Sequence, residues 1–254
     1  MTPPRPLLLA RELGHRFADG AWAFRRVEFS VAGSEIIVLA GRNGAGKTIL
    51  AKCLSGLLDS TEGAVLYEGK GLASYKESPA SRVGYVFQDS RLQAVGDTVL
   101  DDASFGPANL GMEPGEARSR AEAAIARCGL GSRSLSFVHT LSGGESRRLA
   151  VAGIVAMSPG VVILDEPFAN LDRDGVRSVL EIIVELRRGG TAIVVVTHEL
   201  EKVLGIADRL DIMDDGSIAA SGTPAEVLAT GIERFGLRDP FRSVRGVGDL
   251  QWLE

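Results

Sequence analysis

The chain has 254 residues, 45% hydrophobic and 24% charged, with a formal net charge of −5. That balance excludes a largely disordered or fibrous chain and argues against a generally basic nucleic-acid-binding surface, so no nucleic-acid partner is expected. Glycine is in excess, 31 residues or about 12% against an average near 7%, which points to tight turns or to places where backbone approaches something closely.

In chain order, β-forming segments come first, at 7–13, 27–31 and 35–40, the last a continuous apolar strand. A glycine-rich turn at 41–46 leads into a helix expected over 47–57, followed by short strands at 64–67 and 83–87. Helical patterning then dominates 97–129, with Ala117, Ala121, Ala124 and Cys128 on one face. From Ser142 the alternation is regular: a helix to about Met157, a buried strand at 161–164 and a helix over 172–188. In that last helix Val176, Val179, Leu180 and Ile183 form the apolar stripe. A strand at 192–196, a short helix near 199–206, a hairpin at Asp215-Gly216 and a helix starting at Thr223-Pro224 finish the periodic part. Strands alternating with helices predict an α/β protein with a parallel sheet. The lone Cys53 and Cys128 stand in no CxxC spacing and read as reduced core thiols. No apolar run approaches the ~20 residues that span a bilayer and no cleavable signal is visible, so the expectation is a soluble cytoplasmic protein able to dock on a membrane protein.

Three motifs carry chemistry. Gly41-Arg42-Asn43-Gly44-Ala45-Gly46-Lys47-Thr48 fits G-x-x-x-x-G-K-[ST] directly after a strand and at the start of a helix, as a phosphate-binding loop requires. Its N–H groups and the helix dipole would face a β-phosphate, Lys47 would reach the β/γ-phosphates and the Thr48 hydroxyl would ligate Mg²⁺. The strand at 161–164 ends in Asp165 and Glu166, the first placed to hold Mg²⁺ and the second to polarise an attacking water. Leu141-Ser142-Gly143-Gly144-Glu145 contains a capping box from Ser142 to Glu145. Its two glycines add nothing to a cap, but they suit the approach of another molecule to an exposed helix end.

With these motifs in this order the chain resembles the nucleotide-binding subunits of ABC transporters. Ser142 to Glu145 resembles their signature motif, with Glu145 where Gln is commoner. Gln88 resembles the Q-loop glutamine that contacts Mg²⁺, His198 the switch histidine at the γ-phosphate, and Asn170 and Asp172 the D-loop at the dimer interface. Phe17 lies where the family stacks an aromatic ring on adenine. Three residues depart from the family pattern: Arg42 replaces a common Pro, Ile49 a second hydroxyl, and Phe168 a common Thr. Residues 89–99, 105–111 and 152–157 look like the energy-coupling factor transporters, which take up vitamins and cobalt or nickel.

The resemblance implies a P-loop NTPase of ABC type over residues 1–230, with an N-terminal antiparallel β region, a helical signature subdomain at about 89–157 and a C-terminal tail at 231–254. It implies ATP and Mg²⁺ as ligands, and a homo- or heterodimer of ABC ATPase subunits in which the signature of one covers the ATP of the other. It also implies integral membrane transporter subunits as partners and a peripheral position on the cytoplasmic face of the membrane. A conventional ABC importer subunit with a separate binding protein and a soluble nucleotide-dependent switch stand as alternatives at this stage.

Overall fold

In the computed structural model, which describes residues 6–75 and 79–241, the chain opens with two long strands, β1 (Leu8–Arg16) and β2 (Trp22–Val31). Next, β3 (Ile36–Ala40) runs into α1 (Lys47–Leu54), and β4 (Glu62–Tyr67), β5 (Lys70–Gly71) and β6 (Val83–Val86) follow. Three helices come together in sequence: α2 (Val99–Asn109), α3 (Pro114–Arg127) and α4 (Gly143–Ala156). The chain then alternates through β7 (Val161–Asp165), α5 (Arg173–Arg188) and β8 (Ala192–Val196), and closes with β9 (Arg209–Asp214), β10 (Ser217–Gly222) and α6 (Pro224–Leu228).

Two sheets result. One is antiparallel, in the order β2-β1-β4-β5; the other runs β10-β9-β3-β8-β7-β6, parallel except for the β9–β10 hairpin. Every residue of β3, β7 and β8 is buried, because both faces of the parallel sheet are covered. Alternate residues serve two cores. Ile36, Val38, Val162, Leu164, Ile193 and Val195 pack under the helices α2 to α5. Ile37, Leu39, Val161, Ile163, Val194 and Val196 pack with Leu50 and Leu54 of α1 against the antiparallel sheet. This period of two puts Asp165, two residues beyond Ile163, on the α1 face.

The expected parallel sheet, the Ala117-Ala121-Ala124-Cys128 face and the Asp215-Gly216 hairpin are all present. The patterned stretch 97–129 is two helices, because Gly111 at φ 77° ends the first and Pro114 starts the second. The short helix near 199–206 is a pair of 3₁₀ turns, Leu200–Lys202 and Leu204–Ile206. The apolar stripe of α5 is wider than its four predicted members, taking in Ile182 and Leu186. In the aperiodic stretch after 230, Ile232 and Leu237 pack into the helix-side core; residues 242–254 of the tail lie outside the described residues.

Candidate nucleotide-binding site

The loop between β3 and α1 lies at the carboxyl end of the parallel strands, where ligands of open α/β sheets bind. Two of its glycines are dictated by neighbours. Gly41 has φ 148° and a Cβ there would lie 2.1 Å from the carbonyl oxygen of Met213, because β9 pairs with β3 alongside it. Gly46, at φ 100°, would put a Cβ 2.6 Å from the carbonyl oxygen of Ala23 in β2. Helix α1 starts without a side-chain cap and without an acidic residue in its first turn. Every other α-helix among the described residues carries an acid there; α1 has none, which leaves its amino terminus open to an anion.

Lys47 is buried, and its Nζ donates to the carbonyl oxygens of Gly41 at 2.7 Å and Arg42 at 3.0 Å. Burial lowers its pKa, opposed by the nearby Glu166 and Asp165 carboxylates. Asp165 accepts from the Thr48 hydroxyl at 3.3 Å and from the Tyr85 hydroxyl at 2.7 Å. Its own burial raises its pKa, while those two hydrogen bonds pull it back.

Glu166 has a left-handed backbone at φ 46°, a conformation non-glycine residues seldom adopt. Its N–H donates to the Val196 carbonyl at 2.8 Å, and its own carbonyl accepts from the Arg147 guanidinium at 3.3 Å. The turn aims the carboxylate across the end of β8. There it accepts from Thr197 Oγ1 at 3.0 Å and from His198 Nδ1 at 2.8 Å. A carboxylate only accepts, so Nδ1 carries the proton and Nε2 is left for another group.

One cavity of about 440 Å³ collects these side chains: Phe17, Trp22, Asn43, Lys47, Thr48, Ile49, Gln88, Glu166 and His198 line it. Thr48, Asp165 and Gln88 offer the hard oxygen donors that Mg²⁺ prefers. Phe17 lines the same cavity and is exposed. The predicted residues of the signature are elsewhere. Gly143 lines a second cavity with Gln88, Asp89, Arg147, Asn170 and Leu171. Ser142 and Glu145 form the predicted capping box, and backbone and hydroxyl hydrogen bonds from Ser142 hold the Glu145 pKa down. A Cβ on Gly143 would meet nothing within 4 Å, and one on Gly144 only Leu171 at 3.9 Å. No contact among the described residues explains these two glycines.

Asp172 caps α5 by accepting from Gly175 N–H at 2.8 Å, and Asn170 turns the loop at φ 59°. The departures have local settings too: Arg42, which does not line the cavity, pairs with Asp214 at 3.1 Å, and Phe168 is fully buried. Sequence reading missed Tyr85, Thr197, Arg147 and Trp22; only the position of Thr197 next to His198 hinted at a role.

This fold and this cavity define a P-loop nucleoside triphosphatase. Residues 24–169 match the ABC transporter family. The energy-coupling factor transporter ATP-binding protein of Methanocaldococcus jannaschii is 37% identical over 222 residues, 86% of this chain and 80% of that one. The cobalt import ATP-binding protein of Rhodobacter capsulatus is 38% identical over 240 residues, 92% of this chain and 86% of that one. Among solved structures, a Clostridium perfringens CbiO1, described as part of an ABC transporter complex, superposes with a TM-score of 0.80 at 32% identity. That match covers 92% of this chain and 96% of the other. The chain belongs to the ABC transporter family, and within it to the ATPases of energy-coupling factor type.

Proposed function

We propose that the chain hydrolyses Mg²⁺-ATP to energise import of a small nutrient, a vitamin or a transition-metal ion, on the cytoplasmic face of a membrane. The observation that carries the reading is the division of machinery. Lys47, Thr48, Gln88, Glu166 and His198 line one cavity, whereas Gly143 opens a different one with only Gln88 shared. A chain so built carries one half of each of two active sites. Two such subunits, identical or homologous, closing head to tail would set the Ser142–Gly143–Gly144 helix end of one over the triphosphate held by the other.

In that assembly Lys47 and the amino terminus of α1 bind the β- and γ-phosphates. Mg²⁺, held by Thr48, Asp165 and Gln88, would supply neutralisation of phosphate charge. Glu166 takes a proton from the attacking water, and His198, fixed through Nδ1, keeps Nε2 free for the γ-phosphate. A membrane partner has a place to dock: Leu92, Val95, Phe105, Leu135 and Phe137 are exposed on the helical region. Beside them a groove of about 560 Å³ is lined by Ser90, Ala94, Gly96, Asp97, Asp102 and His139 among others. No helix among the described residues is long and apolar enough to cross a membrane, so the transport path would belong to other subunits. The test is purification of the native complex from detergent-solubilised membranes: integral membrane subunits should accompany the chain, with Mg²⁺-dependent phosphate release. A chain that purifies alone, or without that activity, overturns the proposal.

A further inference from the structure

Of the two groups on the Asp165 carboxylate, the shorter and more deeply buried is not part of any motif. Tyr85 lies on β6 beside Ile163 of β7, on the α1 face, and its hydroxyl donates to Asp165 Oδ2 at 2.7 Å. Thr48 reaches the other oxygen, Oδ1, at 3.3 Å. The carboxylate torsion of an aspartate is broad, so the stronger hydrogen bond sets its plane. The phenol is itself well fixed. It is 4% exposed and packs edge-on against Phe87 with ring centroids 5.0 Å apart. The Gln93 side chain clamps the strand end by accepting from Phe87 N–H at 3.1 Å and donating to the Tyr85 carbonyl at 3.4 Å.

We propose that Tyr85 is a positioning residue for the divalent cation: by occupying Oδ2 it turns Oδ1 of Asp165 toward Thr48, presetting the two oxygens that would hold Mg²⁺. The inference rests on the nucleotide-binding reading above. Groups that orient a metal-binding carboxylate typically change metal affinity 10–100-fold when removed.

The experiment is Tyr85→Phe in the full chain, with ADP binding followed by calorimetry in EDTA and across a Mg²⁺ titration. Expected are an affinity for ADP in EDTA and an unfolding temperature close to wild type. The Mg²⁺ concentration that gives half of the gain in ADP affinity should rise about tenfold. In an Asp165→Asn background the same substitution should leave the Mg²⁺ dependence alone. An unchanged half-point in Tyr85→Phe overturns the proposal. So does an equal loss of ADP affinity with and without Mg²⁺, or a variant that no longer folds, since either makes Tyr85 a packing residue only. A wild-type chain that binds no ADP at all overturns instead the reading beneath it.

Discussion

Glu166 Oε1 accepts from His198 Nδ1 at 2.8 Å, across the carboxyl ends of two neighbouring parallel strands. The contact depends on backbone: Asp165 pairs with Val196, and the next residue turns left-handed at φ 46° with its N–H on the Val196 carbonyl. Thr197 closes the arrangement from the same strand end with 3.0 Å to Oε2. The carboxylate is thus fixed by two donors and by its own main chain. A carboxylate held in this way meets the condition for a general base that reorganises little during reaction.

Glu166→Gln retains the size and an acceptor oxygen but removes the carboxylate proposed as the base. ATP affinity should stay within about threefold of wild type, while phosphate release falls by roughly 10²–10⁴. Equilibrium binding and single-turnover phosphate release measure the two. Near-normal turnover would remove Glu166 from the mechanism.

His198 is a different case, because its side chain is 56% exposed and supports no core. His198→Ala should leave the unfolding free energy within about 0.5 kcal/mol, as for other surface changes. Turnover should still fall at least about tenfold, since the Glu166 contact goes and, with it, the γ-phosphate contact proposed for Nε2. A loss of activity that merely tracks a loss of thermal stability would contradict this.

Asp165 carries a stability signature. Burial raises its pKa above the ordinary carboxylate value of about 3.9, so the fold favours the neutral form. The contribution to stability is therefore fully present below that value and is lost as pH rises through the raised one. Asp165→Asn stays neutral throughout. Its unfolding temperature relative to wild type should shift upward as pH rises from about 4 toward 7, while phosphate release drops by about 10² or more. A difference that is flat with pH, or that moves the other way, would show the Asp165 carboxylate to be well solvated.

What sequence reading recovered and what it lost divide along physical lines. The loop at 41–48 was legible because glycine, lysine and threonine occur there at the fixed spacing that a phosphate imposes. Asp165 and Glu166 were legible because two acids end an apolar strand. Tyr85 was not, since its place in the buried strand Val83–Val86 marks it only as core, and its partner is 80 residues away. Arg147 was equally hidden. Helical period says nothing of a guanidinium that crosses to the carbonyls of Glu166 and Ala169, at 3.3 and 3.5 Å. Local turns follow from local chemistry, whereas these contacts exist only once β6, β7 and α4 are packed together.

The two signature glycines give the sharpest test of the divided site. A glycine in a helix is less favourable than other residues by up to about 1 kcal/mol, and a Cβ at Gly143 would meet nothing within 4 Å. Gly143→Leu should therefore leave the isolated subunit as stable as wild type or more so. If that surface meets the triphosphate held by another subunit, the added side chain stands in its way. In a Glu166→Gln background, where ATP would accumulate unhydrolysed, Gly143→Leu should weaken ATP-induced association at least about tenfold, about 1.4 kcal/mol. Light scattering with and without ATP reads the effect, and calorimetry should show ATP still binding at the unaltered Lys47 cavity. Association as tight as in Glu166→Gln alone would mean that the open space above Gly143 serves no partner subunit.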